Sequence, residues 1–423
     1  MGPDRSTGVT GPAAVDPAGS VPPLSGRSLF ITGLGIGQIC SWGSLYYSFP
    51  LIAEAMGADL GWSKTHLYGA ASLGLALGGV AAFPIGTAID RGHGRLIMAG
   101  GAALAGLCLL AWSQVQGLAL FYVLVAAVGV LQAATLYEPA FAVVARRAGS
   151  KGARAGITAL TLWGGFASTV FIPLIQLLLE TQGWRGALLV LGGLNLLVCA
   201  PLYAAVIRPA ADRHEAHVRS LPLAGAAAVR AVMRRPAFWG LAVAFTAYAA
   251  TFSAFTFHFY PLLVERGFSA GQVVAAMAVI GPAQVAGRIA VWVFAPRAPV
   301  RLIGSCVVAA FPLAILALAW LPPSFAVVAG VAALYGAANG IFTIVRGVAV
   351  PEILTPQAYG AVNGALAAPA MVARALAPAG AALLWMGTQT YAPVLTALTA
   401  GAVLLAIGFW LAAYLSLRDG GAR

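Results

Sequence analysis

The chain has 423 residues, of which 61% are hydrophobic and only 9% are charged, and its formal net charge is +12. This composition excludes an ordinary soluble domain, because a water-soluble fold could not cover so much apolar surface. The 24 lysines and arginines are spread along the whole sequence, so the positive charge indicates membrane topology, and no nucleic-acid partner is expected.

The first 26 residues are rich in Pro, Gly, Ala and Ser and are predicted to form a disordered tail. Apolar stretches of about 20 to 30 residues then recur along the chain, each long enough to cross a hydrocarbon core about 30 Å thick. We therefore predict an all-α membrane protein with twelve transmembrane helices. In chain order, the predicted spans are residues 28–56, 64–89, 95–114, 117–146, 152–180, 185–207, 236–264, 270–295, 300–321, 323–353, 358–387 and 390–416.

The distribution of lysine and arginine predicts which way the spans run. Eighteen of these residues fall on the side of the two termini, whereas Lys64, Arg185 and Arg266 fall on the opposite side. Because positively charged loops stay in the cytoplasm, both termini are predicted to be cytoplasmic.

The sequence contains an internal repeat with an offset of 206 residues. This offset places Arg95-Leu96-Ile97 on Arg301-Leu302-Ile303, and Ala159-Leu160 on Ala365-Leu366. Because the same offset matches two separate parts of the sequence, we predict two pseudo-symmetric six-helix bundles with the same orientation in the membrane. The predicted organisation is a cytoplasmic tail at 1–26, an N-terminal bundle at 27–208, a cytoplasmic linker at 209–235, a C-terminal bundle at 236–417 and a short tail at 418–423.

The loop after the second span carries a charged motif. Its sequence, Gly86-Thr-Ala-Ile-Asp90-Arg91-Gly92-His-Gly94-Arg95, resembles the G-x-x-x-D-R-x-G-R signature of the major facilitator superfamily with one added residue. That family has two parallel six-span repeats and holds its substrate between them. The resemblance implies a cytoplasmic gate in which Gly86 packs against span 11 and the charged residues form a latch, its members being Gly86, Asp90, Arg91, Gly94 and Arg95. A solvated loop with a tight turn is the alternative.

Three short segments narrow the resemblance. They are Gly61-Trp62-Ser63, Gly183-Trp184-Arg185 and Arg235-Pro-Ala-Phe-Trp239, and they are similar to the bacterial branch of monocarboxylate porters and oxalate/formate antiporters. The resemblance implies a transporter of the bacterial inner membrane, although a fold-level match does not fix the ligand.

Three arginines remain inside the predicted spans: Arg288 in span 8, Arg346 in span 10 and Arg374 in span 11. A charge at mid-membrane costs about 2.5 to 3.5 kcal/mol and normally faces a cavity or the bundle interior. Neither Arg288 nor Arg374 has an acidic residue one turn away, so an anionic substrate is a candidate partner. The resemblance implies the same role, because basic residues of spans 8 and 11 contact substrate in that branch. The monocarboxylate porters carry an Asp one turn before the span 8 arginine, where this chain has Gln284.

Glu138 in span 4 is a candidate partner for Arg346. The 206-residue offset places Glu138 on Ile344, two residues from Arg346, and spans 4 and 10 face each other in the superfamily. The two residues are predicted to form either a proton-coupling or charge-switch pair or a permanent ion bridge. Tyr47 and Asn339 are added as candidate substrate contacts. His258 is predicted to be a hydrogen-bonded structural residue, and a histidine that titrates near neutral pH is the alternative.

These features predict secondary transport of a small organic anion, with a carboxylate favoured, by proton coupling or exchange. The expected partners are that substrate, protons and membrane lipid, and we expect a monomer. An efflux pump for drugs or metalloids is the alternative, since a thiolate site could be assembled from cysteines of several spans. A receptor that binds without transport is a further alternative. No enzymatic activity, cofactor or metal centre is expected, because the sequence has no nucleophile–base constellation, phosphate loop or metal motif.

Overall fold

The computed structural model describes residues 24–208, 229–295, 298–355 and 359–420. Nearly all of these residues are helical, and none of them forms a strand. Most of the predicted N-terminal tail, most of the linker at 209–235, and residues 421–423 lie outside the described part. The prediction of an all-α membrane protein is confirmed for the residues described.

Residues 229–233 are helical, and fourteen further α-helices have both ends within the described ranges. They are α1 (Leu24–Trp42), α2 (Ser48–Leu60), α3 (Lys64–Ala88), α4 (Gly94–Trp112), α5 (Leu118–Thr135), α6 (Tyr137–Gly164), α7 (Ala167–Leu194), α8 (Ala200–Val206), α9 (Pro236–Glu265), α10 (Ala270–Phe294), α11 (Val300–Trp320), α12 (Phe325–Ala349), α13 (Tyr359–Thr388) and α14 (Ala392–Gly420). Four five-residue π-helical segments interrupt or extend them, at Gly43–Tyr47, Ile89–His93, Asn195–Cys199 and Val350–Leu354.

Nine segments of the described chain are long and apolar enough to cross a membrane. One of them, residues 159–206, has 48 residues, which is more than two crossings need. It contains Gly183 in a non-helical conformation, with φ 68° and ψ 179°, where the helix breaks. The helices at residues 24–60 and 64–88 precede the nine segments, so the arrangement fits the twelve predicted crossings.

The boundary between predicted spans 4 and 5 lies inside the single helix α6, where the chain doubles back. A Cβ atom on Gly156 would lie 2.7 Å from Val144, and one on Gly164 would lie 2.1 Å from the Tyr137 hydroxyl. Residues twelve apart on a straight helix are about 18 Å apart, so these contacts require a reversal between the two arms. Glycine allows the two arms to approach this closely.

The same 206-residue offset relates turns at one end of the molecule. Gly61 and Gly267 have φ of 67° and 87°, and Gly183 and Gln389 have φ of 68° and 55°. Within each pair the two residues are 206 positions apart. We call this end the far end, and we call the opposite end, where Leu24 and Gly420 lie, the terminal end.

Two serines at the far end are related by the same offset and cap equivalent helices. Ser63 accepts a hydrogen bond from the His66 amide at the start of α3, and Ser269 accepts one from the Gln272 amide at the start of α10. The capped helices therefore begin at corresponding places in the two halves of the sequence.

The most extensive contacts between the two halves join α3 with α13, α7 with α10, and α2 with α9. Along α3 the separation grows toward the terminal end. A Cβ atom on Gly79 would lie 4.0 Å from Met371 of α13, and one on Gly86 would meet no described atom within 4 Å. Residues 356–358, just before span 11 begins at Tyr359, lie outside the described part, so the close packing of Gly86 against span 11 stays a prediction.

Candidate functional site

The three arginines of the predicted spans converge on one space between the halves. Arg288 lies on α10, Arg346 on α12 and Arg374 on α13. The hydroxyl of Tyr248 on α9 interacts electrostatically with all three guanidinium groups. The fold therefore places the three arginines, which are far apart in the sequence, near Tyr248.

Arg288 is buried and bridges the two halves through backbone carbonyls. Its Nε donates to the Gly340 carbonyl at 3.2 Å, and its Nη1 donates to the Thr161 carbonyl at 2.6 Å. Thr161 belongs to the N-terminal half and Gly340 to the C-terminal half. The expectation that Arg288 lacks a partner without a substrate therefore needs correction, because carbonyl groups supply partners that a search for acidic residues cannot find.

Arg374 has a buried guanidinium nitrogen without a hydrogen-bond partner. Its Nε is buried and has no hydrogen-bond partner among the described residues, and its guanidinium carbon lies 5.4 Å from the centre of the Tyr46 ring. Tyr46 and Tyr47 both come from the π-helical segment Gly43–Tyr47, which turns them relative to a regular helix. Burial without a complete set of partners is costly for a charged group, so Arg374 is a candidate ligand-binding residue.

Glu138 acts electrostatically on Arg374. Span 4 is broken at Leu136, which has φ −83° and ψ −152°, so Glu138 lies in the first turn of a new helical arm. Its side chain is exposed, and its charge acts on Arg374. No ion pair within 4 Å joins Glu138 to Arg346 among the described salt bridges, so that pair is not formed in this conformation and a switchable pair stays a prediction.

Arg346 is exposed and lies over two aromatic rings. Its guanidinium carbon is 5.4 Å from the centre of the Tyr248 ring and 5.7 Å from that of Phe245. The Tyr248 hydroxyl donates to the Asn339 side-chain oxygen, so the predicted contact residue Asn339 holds Tyr248 in place. Cation–π contacts with neutral rings leave the guanidinium donors of Arg346 available to an anion.

Tyr47 and Asn339 both line a small cavity between the halves, together with Ser168, Gln284 and Tyr335. The cavity volume that is accessible to the centre of a water molecule is about 20 Å³, which is enough for roughly one water. This cavity is too small for an organic anion, and none of the three arginines lines it.

The predicted gate motif is only partly described. Arg91 and Arg95 are exposed, Gly94 is buried, and the side chain of Asp90 lies outside the described part. The predicted latch between Asp90 and the arginines therefore stays a prediction. Gly92 is the residue of this loop with a left-handed backbone, at φ 95° and ψ 4°. The motif predicts a tight turn here, but it does not indicate which residue makes that turn.

A second polar cluster, at the far end, was not predicted as a unit. His258 is buried, and its Nε2 donates to the Pro378 carbonyl at 2.9 Å while its Nδ1 accepts from the Tyr391 hydroxyl at 3.0 Å. A carbonyl can only accept, which assigns the proton to Nε2. Both nitrogens are therefore satisfied, in agreement with a structural histidine, and Tyr68 stacks on the ring at 4.2 Å.

Cysteine and acidic side chains do not assemble a metal site in the described residues. No group of three or more His, Cys, Asp or Glu residues there is placed to hold a metal ion. Cys40 and Cys199 lie together between α1 and the π-helical segment at Asn195–Cys199, whereas Cys108 and Cys306 lie elsewhere.

Sequence comparison gives a family match and more distant relatives. A family model described as Major Facilitator Superfamily matches residues 34–378. The chain is 30% identical over 184 residues to monocarboxylate transporter 13 of Rattus norvegicus, covering 43% of this chain and 40% of the rat protein. It is 31% identical over 193 residues to monocarboxylate transporter 11 of Homo sapiens, covering 44% and 38%. The matched stretches thus span about two fifths of these relatives.

Structure comparison supports the same fold. A bacterial homologue of the human lysosomal transporter Spinster, in an inward-facing and unoccupied conformation, gives a TM-score of 0.69 at 16% identity over 94% of this chain and 99% of that chain. The nucleoside transporter NupG gives 0.63 at 15% identity, over 94% and 99%. Since the named cargoes differ and the identities are low, these likenesses establish the fold and leave the substrate open.

Proposed function

Because the chain belongs to the Major Facilitator Superfamily, we propose that this membrane transporter carries a small organic anion, preferably a monocarboxylate, by alternating access of its two halves. The observation that carries the proposal is the convergence of Arg288, Arg346 and Arg374 around Tyr248. The carboxylate of Glu138 acts on Arg374, and the described salt bridges include none to Arg288, Arg346 or Arg374. Three positive charges and one negative charge leave an excess of two, which favours an anion as the missing partner.

The geometry favours Arg374 as the principal anion ligand, in place of Arg288. Arg288 already donates to two carbonyls, whereas the Nε of Arg374 is buried without a partner. Arg346 is the second candidate ligand, because its contacts are with aromatic rings that leave its donors free for a carboxylate. In this proposal Arg288 is a positioning residue that links the halves.

The relatives favour a monocarboxylate over other anions, since the curated proteins that match are named monocarboxylate transporters. We further propose that the protein works in the bacterial inner membrane as a monomer with its terminal end in the cytoplasm. The excess of lysine and arginine on that side supports the orientation. Coupling to protons or exchange of one anion for another both agree with a site of this charge.

The proposal is tested by uptake into proteoliposomes that contain the purified protein. Labelled lactate, pyruvate and oxalate are offered separately, with and without a pH gradient. We expect Arg374→Gln to abolish uptake of the transported carboxylate. The matched control is Arg185→Gln, because Arg185 lies at the far end and pairs with Asp59 at 2.8 Å, away from the three arginines.

Two outcomes contradict the proposal. One is uptake by Arg374→Gln at the rate of the control, which removes Arg374 from anion binding. The other is the absence of uptake for all three carboxylates in a preparation that is monodisperse and unfolds cooperatively, which removes small carboxylates as substrates.

A further inference from the structure

Two buried hydroxyl groups, one from each half, line the small cavity between the halves. Ser168 on α7 and Tyr335 on α12 are each 2% exposed, and neither hydroxyl oxygen has a hydrogen-bond partner among the described residues. Both side chains line the cavity of about 20 Å³. A buried hydroxyl without a partner is unfavourable, so two of them at one cavity indicate a site for a group that bonds to both.

The walls of this cavity are aromatic, and none of the described residues that line it is charged. Phe252, Phe255 and Phe259 form part of the lining. The Tyr335 ring stacks on Phe255 at 4.1 Å and meets the Phe311 ring edge-on at 5.4 Å, so these rings hold the Tyr335 hydroxyl in place. A hydrogen bond is strong in such apolar surroundings, whereas a charge would be buried there without a counter-charge.

The 206-residue offset relates this cavity to the surroundings of Arg374. The offset places Ser168 on Arg374, and it places Tyr46 on Phe252. The Arg374 guanidinium carbon lies 5.4 Å from the centre of the Tyr46 ring, and in the related contact Ser168 and Phe252 line one cavity. Two related contacts between the halves thus carry a cation on one side and a neutral hydroxyl on the other.

The charged side and the neutral side are close enough to bind one small molecule. The ring centres of Tyr46 and Tyr47 are 5.5 Å apart, and Tyr47 lines the cavity. Successive separations of 5.4 and 5.5 Å place the Tyr47 ring centre no more than about 11 Å from the Arg374 guanidinium carbon. A carboxylate held by Arg374 and a group held in the cavity can therefore belong to one anion of a few carbon atoms.

A hydroxyl group matches the cavity better than a methyl group or a second carboxylate does. A hydroxyl has one donor and two acceptor sites, so it can bond to Ser168 and Tyr335 at once. A methyl group would leave both side chains without a partner. A carboxylate would be buried away from the three arginines, none of which lines the cavity. The volume of the cavity admits one group of about the size of a water molecule.

We propose that Ser168 and Tyr335 form a hydroxyl-binding subsite, so that the preferred substrate is a monocarboxylate that carries a hydroxyl group. The inference rests on the proposed anion transport, because Arg374 has to hold the carboxylate. Ser168 and Tyr335 are then specificity-determining residues for the uncharged end of the substrate. Because they belong to opposite halves, the bound hydroxyl also links the two halves.

The test measures binding of butyrate and of its 2-hydroxy, 3-hydroxy and 4-hydroxy derivatives to the purified full chain by isothermal titration calorimetry. We expect at least one hydroxybutyrate to bind about tenfold more tightly than butyrate, as two added hydrogen bonds allow. Ser168→Ala and Tyr335→Phe each remove one of these bonds. Each is expected to lower the preference to about threefold and to leave the affinity for butyrate unchanged.

Two control variants remove hydroxyl groups elsewhere. Thr181→Ala lies on the same helix as Ser168 and removes a hydroxyl that donates to the Leu177 carbonyl, and Tyr414→Phe changes an exposed tyrosine of α14. Both are expected to keep the tenfold preference. Without any carboxylate, Ser168→Ala is expected to keep the Tm of the parent protein, because its hydroxyl has no partner to lose. A purely structural serine would instead lower Tm.

Two results overturn the inference while the anion proposal stands. One is equal affinity for butyrate and all three hydroxybutyrates, which means that the two hydroxyls serve only a water. The other is a preference for a hydroxybutyrate that both Ser168→Ala and Tyr335→Phe retain in full. If none of the four carboxylates binds to a monodisperse preparation, the anion proposal and this inference fail together.

Discussion

Gly340 is the point where α12 rests directly on α10, and Gly340→Ala probes how far Arg288 depends on this contact. A Cβ atom there would lie 2.3 Å from the Gln284 carbonyl oxygen and 2.7 Å from the Gln284 Cα. An ordinary contact begins at 3.4 Å, so the two helices must separate by about 1.1 Å. The bond from Arg288 to the Gly340 carbonyl, now 3.2 Å, would then exceed hydrogen-bond length.

The magnitude follows from three contributions. Overpacking costs about 1 to 3 kcal/mol. The lost bond from a charged donor costs about 1.5 to 3 kcal/mol. Alanine in a helix returns about 0.5 to 1 kcal/mol relative to glycine. The net loss is roughly 2 to 5 kcal/mol, and at about 2.1 cal/mol/K per residue this lowers Tm by about 2 to 6 °C.

The assay is thermal unfolding of the purified protein in detergent, with Gly330→Ala as the matched control. Gly330 lies on the same helix, and a Cβ atom there would meet no described atom within 4 Å. The control is expected to keep Tm or raise it by about 1 °C. If both variants have the same Tm within 1 °C, the close contact between α10 and α12 does not govern the position of Arg288.

Two further predictions concern single polar groups. Hydrogen bonds from Trp184 and Arg185 hold the pKa of Asp59 below its usual value. The ionised Asp59 side chain therefore stabilises the folded protein fully above the unfolded pKa of about 3.9. This stabilisation is lost as the pH falls through the lower pKa of the folded state. Asp59→Asn should therefore lower Tm at pH 7, and this effect should shrink as the pH falls through the lower folded pKa; an effect on Tm that does not change with pH would contradict the assignment. Tyr248→Phe leaves the Asn339 oxygen without its donor, which costs about 1 to 3 kcal/mol. We expect a Tm lower by about 1 to 3 °C and weaker carboxylate binding, and an unchanged KM for uptake would remove Tyr248 from the site.

Sequence patterns predicted the elements that depend on local chemistry. The lengths of the apolar segments predicted the membrane-spanning helices, because every such helix must be long and apolar wherever it lies in the bundle. The 206-residue offset predicted two related halves from matches such as Arg95 and Arg301. The positions of Gly61 and Gly267 extend that offset to the turns, where glycine is favoured because the backbone is left-handed.

Partners across the bundle could not be predicted in this way. The Arg288 guanidinium binds carbonyls of Thr161 and Gly340, and every residue has a carbonyl, so its sequence neighbourhood holds no signal. Glu138 was matched to Arg346 by the repeat, but the break at Leu136 places its charge to act on Arg374. Pro139 is the sequence mark of this break, because it has no N–H to donate to the Thr135 carbonyl four residues earlier, but it does not predict which arginine Glu138 will reach.

The far-end cluster shows the same limit. Its bonds depend on Pro261, which frees the Phe257 carbonyl of its own helix for Tyr68 of the other half. A proline inside an apolar span predicts a free carbonyl four residues earlier. It does not predict which side chain will reach that carbonyl, because this depends on how the halves pack.

The central claim is that the protein recognises its substrate by a negative charge. Comparing a carboxylate with its neutral amide isolates the effect of that charge. Proteoliposomes containing the purified protein are offered labelled lactate, with unlabelled lactate or the neutral amide lactamide as competitor, at equal concentrations. If the arginines hold a carboxylate, lactate is taken up, unlabelled lactate competes, and lactamide does not compete. Competition by lactamide as strong as that by lactate would contradict anion recognition by Arg374 and Arg346.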